Sequence, residues 1–95
     1  MKLIVSPSAT ADLARLHAFL ADKNPGAADR VAAALIAAVQ SLDILPERGR
    51  ASGTRNVREL IVPFGRAGYV LRYAYREQVD EVIVLGIWHS REMRE

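Results

Sequence analysis

The sequence predicts an α+β fold in the order β-α-α-β-β-β, an N-terminal helix hairpin packed on a small antiparallel sheet. Three observations predict it. Two stretches in the first half repeat apolar residues at steps of three and four, the period of one helix face. Each stretch opens on a capping residue followed by proline, Ser6-Pro7 and then Asn24-Pro25. The second half changes to alternating and β-branched runs punctuated by glycine and proline. At 95 residues the chain is the size of one domain, 1–95; two would each be too small to bury a core.

The elements follow in order. Residues 2–6 carry Leu3-Ile4-Val5, a short β-prone run. The first helix begins at Pro7 and buries Ala9, Leu13, Leu16 and Leu20, with Asp12, Arg15, Asp22 and Lys23 largely off that face. It stops at Asn24, because proline disfavours helical geometry in the residue before it. The second helix runs from Pro25 to about Ile44 or Leu45. Its stripe is Ala28, Val31, Leu35, Ala38 with Val39, Leu42 and Leu45, and Pro46 ends it. So short a connection makes the helices antiparallel neighbours. Residues 47–54, with Arg48, Gly49, Arg50, Ser52 and Gly53, read as a loop.

Val57, Leu60, Ile61 and Val62 form a strand ended by Pro63 and a turn over residues 64–68. Residues 69–76 alternate: Tyr69, Leu71, Tyr73 and Tyr75 share one face, Val70, Arg72, Ala74 and Arg76 the other. Residues 81–88 are apolar on both faces and predict the most buried strand; residues 89–95 are a charged tail. The predicted core is Leu13, Leu16, Leu20, Val31, Leu35, Leu42, Leu71, Ile83 and Leu85.

Composition removes several function classes. There is no cysteine, which excludes disulfides, thiolate zinc sites and thiol nucleophiles. Two histidines, His17 and His89, are too few for a histidine-rich metal site, so neither metal nor cofactor is expected. The longest apolar run, residues 31–39, is about half of what a membrane span needs. No signal-peptide core precedes Ser6-Pro7, and a cytoplasmic protein without membrane contact is expected. The net charge is +2, and the basic residues are nearly all arginine.

The constellation above background is a set of arginines and aromatics on the strands. Arg48, Arg50, Arg55 and Arg58 lie close together, Arg72 follows, and the last strand delivers Trp88, His89 and Arg91. Arginine forks onto phosphates and carboxylates, and histidine exchanges protons near neutrality. Residue chemistry alone fits two functions, an RNA-cleaving groove and a basic surface for a partner protein. Ser90 adjoins His89, but strand neighbours point to opposite faces, so no serine–histidine pair forms. Glu59 adjoins Arg58 in the same way. His17, midway along a helix, reads as structural.

Six motifs in series carry a family resemblance. They are Ser6-Pro7-x-Ala9-x-x-Asp12-Leu13, Asn24-Pro25-x-Ala27-Ala28, Pro46-Glu47-Arg48-Gly49-Arg50, Arg58-Glu59-Leu60-Ile61-Val62, Tyr69-x-x-Arg72-Tyr73, and Val82-x-Val84-Leu85-x-Ile87-Trp88-His89-x-Arg91. In this order the chain resembles the RelE/ParE superfamily of bacterial toxins, in its ParE-like plasmid-stabilisation branch. The resemblance implies a type II toxin held by a co-encoded antitoxin, ParD-like with a ribbon-helix-helix domain. It implies inhibition of DNA gyrase by binding, with no catalytic residues and no sequence-specific DNA binding of its own. The partner-binding residues are then Arg48, Arg50, Arg55, Arg58, Arg72, Trp88, His89 and Arg91. The alternatives within the superfamily are a RelE-like ribosome-dependent mRNA endoribonuclease, with Arg58, Arg72 and His89 as its catalytic set, and a weakly toxic co-repressor that only binds its antitoxin. No lysine follows Lys23, and the C-terminal tyrosine of the ribonucleases is missing. That departure favours the ParE branch.

Overall fold

The computed structural model describes residues 1–92; Met93, Arg94 and Glu95, the end of the predicted tail, lie outside the described residues. In chain order the elements are β1 (Lys2–Val5), α1 (Pro7–Ala21), α2 (Pro25–Ser41), β2 (Arg50–Ala51), β3 (Val57–Phe64), β4 (Ala67–Arg76), a 3-10 turn (Glu77–Val79) and β5 (Glu81–His89). The strands form one sheet ordered β1-β5-β4-β3-β2. The helix hairpin covers one face of it, which is the predicted α+β architecture. The sheet is not purely antiparallel: β1 pairs with β5 in parallel, Lys2 opposite Glu81 through Val5 opposite Val84. The two-residue β2 lies in the stretch read as loop and pairs Arg50 with Glu59.

Both helices start where the caps predict. Ser6 Oγ accepts from the Ala9 N–H at 3.0 Å, and Asn24 Oδ1 accepts from the Ala27 N–H at 3.1 Å. The second helix ends earlier than its stripe suggests. After Ser41 the chain tightens into i→i+3 bonds, Asp43 N–H to Gln40 C=O and Ile44 N–H to Ser41 C=O. Leu42 caps the helix and is fully buried, but Leu45 swings out of the stripe and is 58% exposed. Pro63 stands inside β3 rather than ending it. It is tolerated because β2 reaches only as far as Glu59, so at Pro63 the strand is an edge.

The core lies between the hairpin and the sheet. Leu16, Val31, Leu35 and Leu42 from the helices meet Leu60, Val62, Tyr69, Leu71, Tyr73, Val82, Val84 and Ile87. Leu13 and Leu20 pack against its rim. Ile83 and Leu85 do not belong to it. The register between β4 and β5 shifts at Arg72/Tyr73, from Gly86 to Val84, which leaves Leu85 as the extra residue of a bulge. The face sequence of β5 therefore changes: Val82 and Val84 point to the helices before the bulge, Ile87 and His89 after it. Ile83 and Leu85 are half-buried on the face the helices leave uncovered.

Asp12 corrects a second expectation. It is buried, not off the apolar face. The reason is where β1 ends. Past Val84 the edge of β5 loses its parallel neighbour, and α1 takes over its polar groups. Ser6 N–H bonds the Val84 C=O at 3.0 Å, Ser6 Oγ donates to the Leu85 C=O at 3.3 Å, and Asp12 Oδ2 accepts from the Ile87 N–H at 2.9 Å. A buried carboxylate is kept because a backbone donor needs it.

Candidate partner-binding site

Strand register alone creates a charged row across the uncovered face. Arg50 stands opposite Glu59, Glu59 opposite Arg72, and Arg72 opposite Gly86. Arg72 bonds Glu59 Oε2 through Nε at 3.1 Å and Nη2 at 2.9 Å, and Arg50 Nη2 lies 3.7 Å from Glu59 Oε1. The Arg72 guanidinium also sits over the Trp88 ring, 4.7 Å from its centroid. Such stacking is worth about 0.5–2 kcal/mol, more as water is excluded. Trp88 is itself buried, as is Val70 beside it, while Ile61 is 44% exposed. Arg72 is thus committed to a carboxylate and an indole before any partner arrives.

On the helix side of the same strands, Tyr73 and Arg58 hold a strap formed by residues 46–50. The Tyr73 hydroxyl accepts from the Gly49 N–H at 2.8 Å and donates to the Pro46 C=O at 2.7 Å. Arg58 Nη1 donates to the Gly49 C=O at 2.8 Å and, more weakly, to the Glu47 C=O at 3.4 Å. The strap passes so close that a Cβ on Gly49 would lie 2.9 Å from the Tyr73 ring and 3.0 Å from the Glu59 backbone. Burial pushes the Tyr73 phenol up; the Gly49 N–H and the Arg58 and Arg48 charges pull it down without cancelling that effect. Arg48 leans back on α2, Nη1 to Ser41 Oγ at 2.6 Å. Beyond the strap, Arg55 is exposed on the wall of a cleft of about 530 Å³, which Glu47, Tyr75 and Glu77 also line.

The far end of the sheet holds the remaining candidates. His89 stands edge-on to Tyr69, centroids 5.2 Å apart, and its Nδ1 accepts from the Arg91 N–H at 3.1 Å. Burial raises the Tyr69 phenol, and Glu92 adds to it. The Arg91 side chain is exposed.

The eight predicted residues therefore occupy three places. Arg50, Arg72 and Trp88 share the uncovered face; Arg48, Arg55 and Arg58 belong to the strap and its cleft; His89 and Arg91 sit at the end of β5. The ribonuclease set does not converge. Arg72 is on one face and Arg58 and His89 on the other. Arg58 pairs with Tyr73 and His89 with Tyr69, four residues apart on β4, or about 13 Å. Glu59 and Tyr73 are the residues that sequence reasoning undervalued. Tyr73 read as one of four residues sharing a strand face, whereas its oxygen carries two backbone bonds. Among the described residues no cluster of three His, Cys, Asp or Glu side chains is placed to hold a metal, and no helix is long and apolar enough to cross a membrane.

A solved structure carries the same architecture. A chromosomal ParDE toxin–antitoxin system from P. aeruginosa contains a chain that superimposes with a TM-score of 0.75 at 22% identity, covering 94% of this chain and 95% of that one. Residues 3–94 match the model of the ParE toxin of type II toxin–antitoxin systems, and the chain belongs to that family. Among curated proteins it is 41% identical over 92 residues to Toxin RelE1 of Caulobacter vibrioides, covering 97% of this chain and 96% of that one. Toxin RelE3 of the same species is 38% identical over 90 residues, 95% of each chain.

Proposed function

We propose that this type II toxin arrests cells by binding a target, DNA gyrase, and not by cutting RNA, and that a cognate ParD-like antitoxin holds it inactive. The observation that carries the reading is the dispersal of Arg58, Arg72 and His89. Cleaving RNA needs a base for the 2′-hydroxyl, a cation for the developing phosphorane charge and an acid for the 5′-oxygen, all within reach of one phosphate. Here the cations are engaged by backbone carbonyls and by Glu59, and His89 has no cation of that set beside it. Binding makes no such demand. Exposed Arg48 and Arg50 on the strap and Arg55 on the cleft beyond it offer the antitoxin charge, and Arg91 extends the basic character to the end of β5. The choice of gyrase rests on the ParE branch of the family.

The second reading, a ribosome-dependent endoribonuclease, is favoured by the names of the two Caulobacter relatives. One induction experiment separates them. With the toxin induced in the absence of its antitoxin, the binding reading expects gyrase-linked DNA breaks and intact mRNA, unchanged in His89→Gln. Codon-positioned mRNA cuts that vanish in His89→Gln would overturn it.

A further inference from the structure

On the helix side, α1 and the end of β5 enclose a second pocket, of about 490 Å³. Its floor is apolar, formed by Leu16, Leu20 and Tyr69, and Phe19 stands at its outer wall, 62% exposed. The Lys23 ammonium lies 4.5 Å from the centre of that Phe19 ring. Across the mouth runs Glu92. Its Oε1 accepts from the His89 backbone N–H at 2.8 Å and its Oε2 from Arg15 Nη1 at 2.9 Å. One of the chain's own carboxylates thus occupies a cation and a backbone donor at the edge of an apolar cavity.

We propose that this pocket docks a partner-protein segment bearing a carboxylate next to a large apolar side chain, and that Glu92 is the intramolecular placeholder for that carboxylate. Charge complementarity selects the occupant. Arg15 and Arg91 line the mouth and Lys23 stands beside it on Phe19; among the described residues Glu92 faces them, with the buried Asp12 behind Arg15 at 3.7 Å. A basic segment meets three cations there. A neutral one displaces Glu92 and leaves Arg15 only the buried Asp12, 3.7 Å away and already bonded to the Ile87 N–H. An acidic segment replaces the pair it breaks and gains the apolar burial. A nucleic-acid strand also brings negative charge, but its phosphates have no use for a floor of leucines. The placeholder is weakly held, because both side chains are about a third or more exposed, 45% for Arg15 and 35% for Glu92. The inference adds a contact surface to the binding reading and does not depend on gyrase being the target.

The test is an amide NMR titration of the whole chain with 4-phenylbutyrate, which couples an aromatic ring to a carboxylate. Saturable shifts are expected at the His89 N–H and at the Leu16, Phe19 and Leu20 amides. Glu92→Gln keeps an oxygen for the His89 N–H and loses only the charge that competes for Arg15, so it should bind about two- to fivefold tighter. Arg15→Gln should bind roughly tenfold weaker, and 4-phenylbutanol, which lacks the carboxylate, should lose a similar factor. Absence of shifts at this pocket, equal binding of the alcohol, or weaker binding by Glu92→Gln would each overturn the proposal. So would uridine 5′-monophosphate matching the acid in place and affinity, which would point to nucleic acid.

Discussion

Replacing Tyr73 with phenylalanine removes one oxygen and keeps the ring, so it isolates the strap from the core. Tyr73 is fully buried, and the Gly49 N–H it accepts from is buried with it. Without the hydroxyl that donor has no replacement acceptor, and the half-buried Pro46 carbonyl loses its donor. A buried polar group left unpaired costs about 1–3 kcal/mol. Taking the Gly49 amide near the middle of that range and the Pro46 carbonyl near its lower end gives about 2–4 kcal/mol. A chain of this length is stable by about 5–14 kcal/mol, so the loss is a substantial fraction. Urea unfolding followed by Trp88, the single tryptophan, reads it directly. With an m-value of about 1–1.5 kcal/mol/M the midpoint should fall by roughly 1.5–4 M at unchanged m. Tyr75→Phe, at a half-buried ring beside the cleft, is the control and should shift little. A Tyr73→Phe midpoint within a few tenths molar of the parent would refute the claim that the hydroxyl anchors the strap.

Three further outcomes follow from the same geometry. Leu35→Ala, at a site 1% exposed, should cost about 2–5 kcal/mol in the same urea assay. Asp12→Ala leaves the Ile87 N–H unpaired and should cost about 1–3 kcal/mol, while Asp12→Asn, which keeps an acceptor oxygen, should recover most of it. The Tyr69 and Tyr73 phenols are both raised from 10.0, so the fold favours their neutral forms. Their contribution is intact below pH 10 and is lost as pH climbs through the folded values; thermal melts between pH 9 and 12 should show that decline, shallower in Tyr73→Phe.

The parts of the fold legible in the sequence are those set by local chemistry. Ser6-Pro7 and Asn24-Pro25 announce both helix starts because a cap and its proline act within one turn. The alternation of Tyr69, Leu71 and Tyr73 places β4 because polar and apolar residues mark its phase. The run Val82-Ile83-Val84-Leu85 has no such contrast, and the bulge at Leu85 is invisible until β4 supplies a register. Asp12 was unreadable for a longer-range reason: its partner, the Ile87 N–H, needs an acceptor only because β1 stops at Val5. At the candidate site the sequence supplied the residue types but not their sides. Arg58 and Arg72 sit on different strands, so their faces depend on how β3 aligns with β4. Two residues of β2 are too few to carry any pattern.

The pairing of β1 with β5 has a consequence for the chain while it is being made. The first strand to leave the ribosome must wait for the last. Until residues 81–89 emerge, β1 has no neighbour, β4 lacks one of its two partners, and the polar edge that Ser6 and Asp12 serve does not exist. Nascent chains emerge at about 5–20 residues per second, so the hairpin spends several seconds with its apolar stripe uncovered. Closing a contact across nearly the whole chain is also entropically the latest step available to it. A prematurely terminated product lacking β5 therefore has neither a finished sheet nor the Trp88 platform under Arg72. On the proposed reading, in which the released toxin arrests its host, completion of the last strand doubles as a safeguard, since fragments from broken messages are expected to be inert.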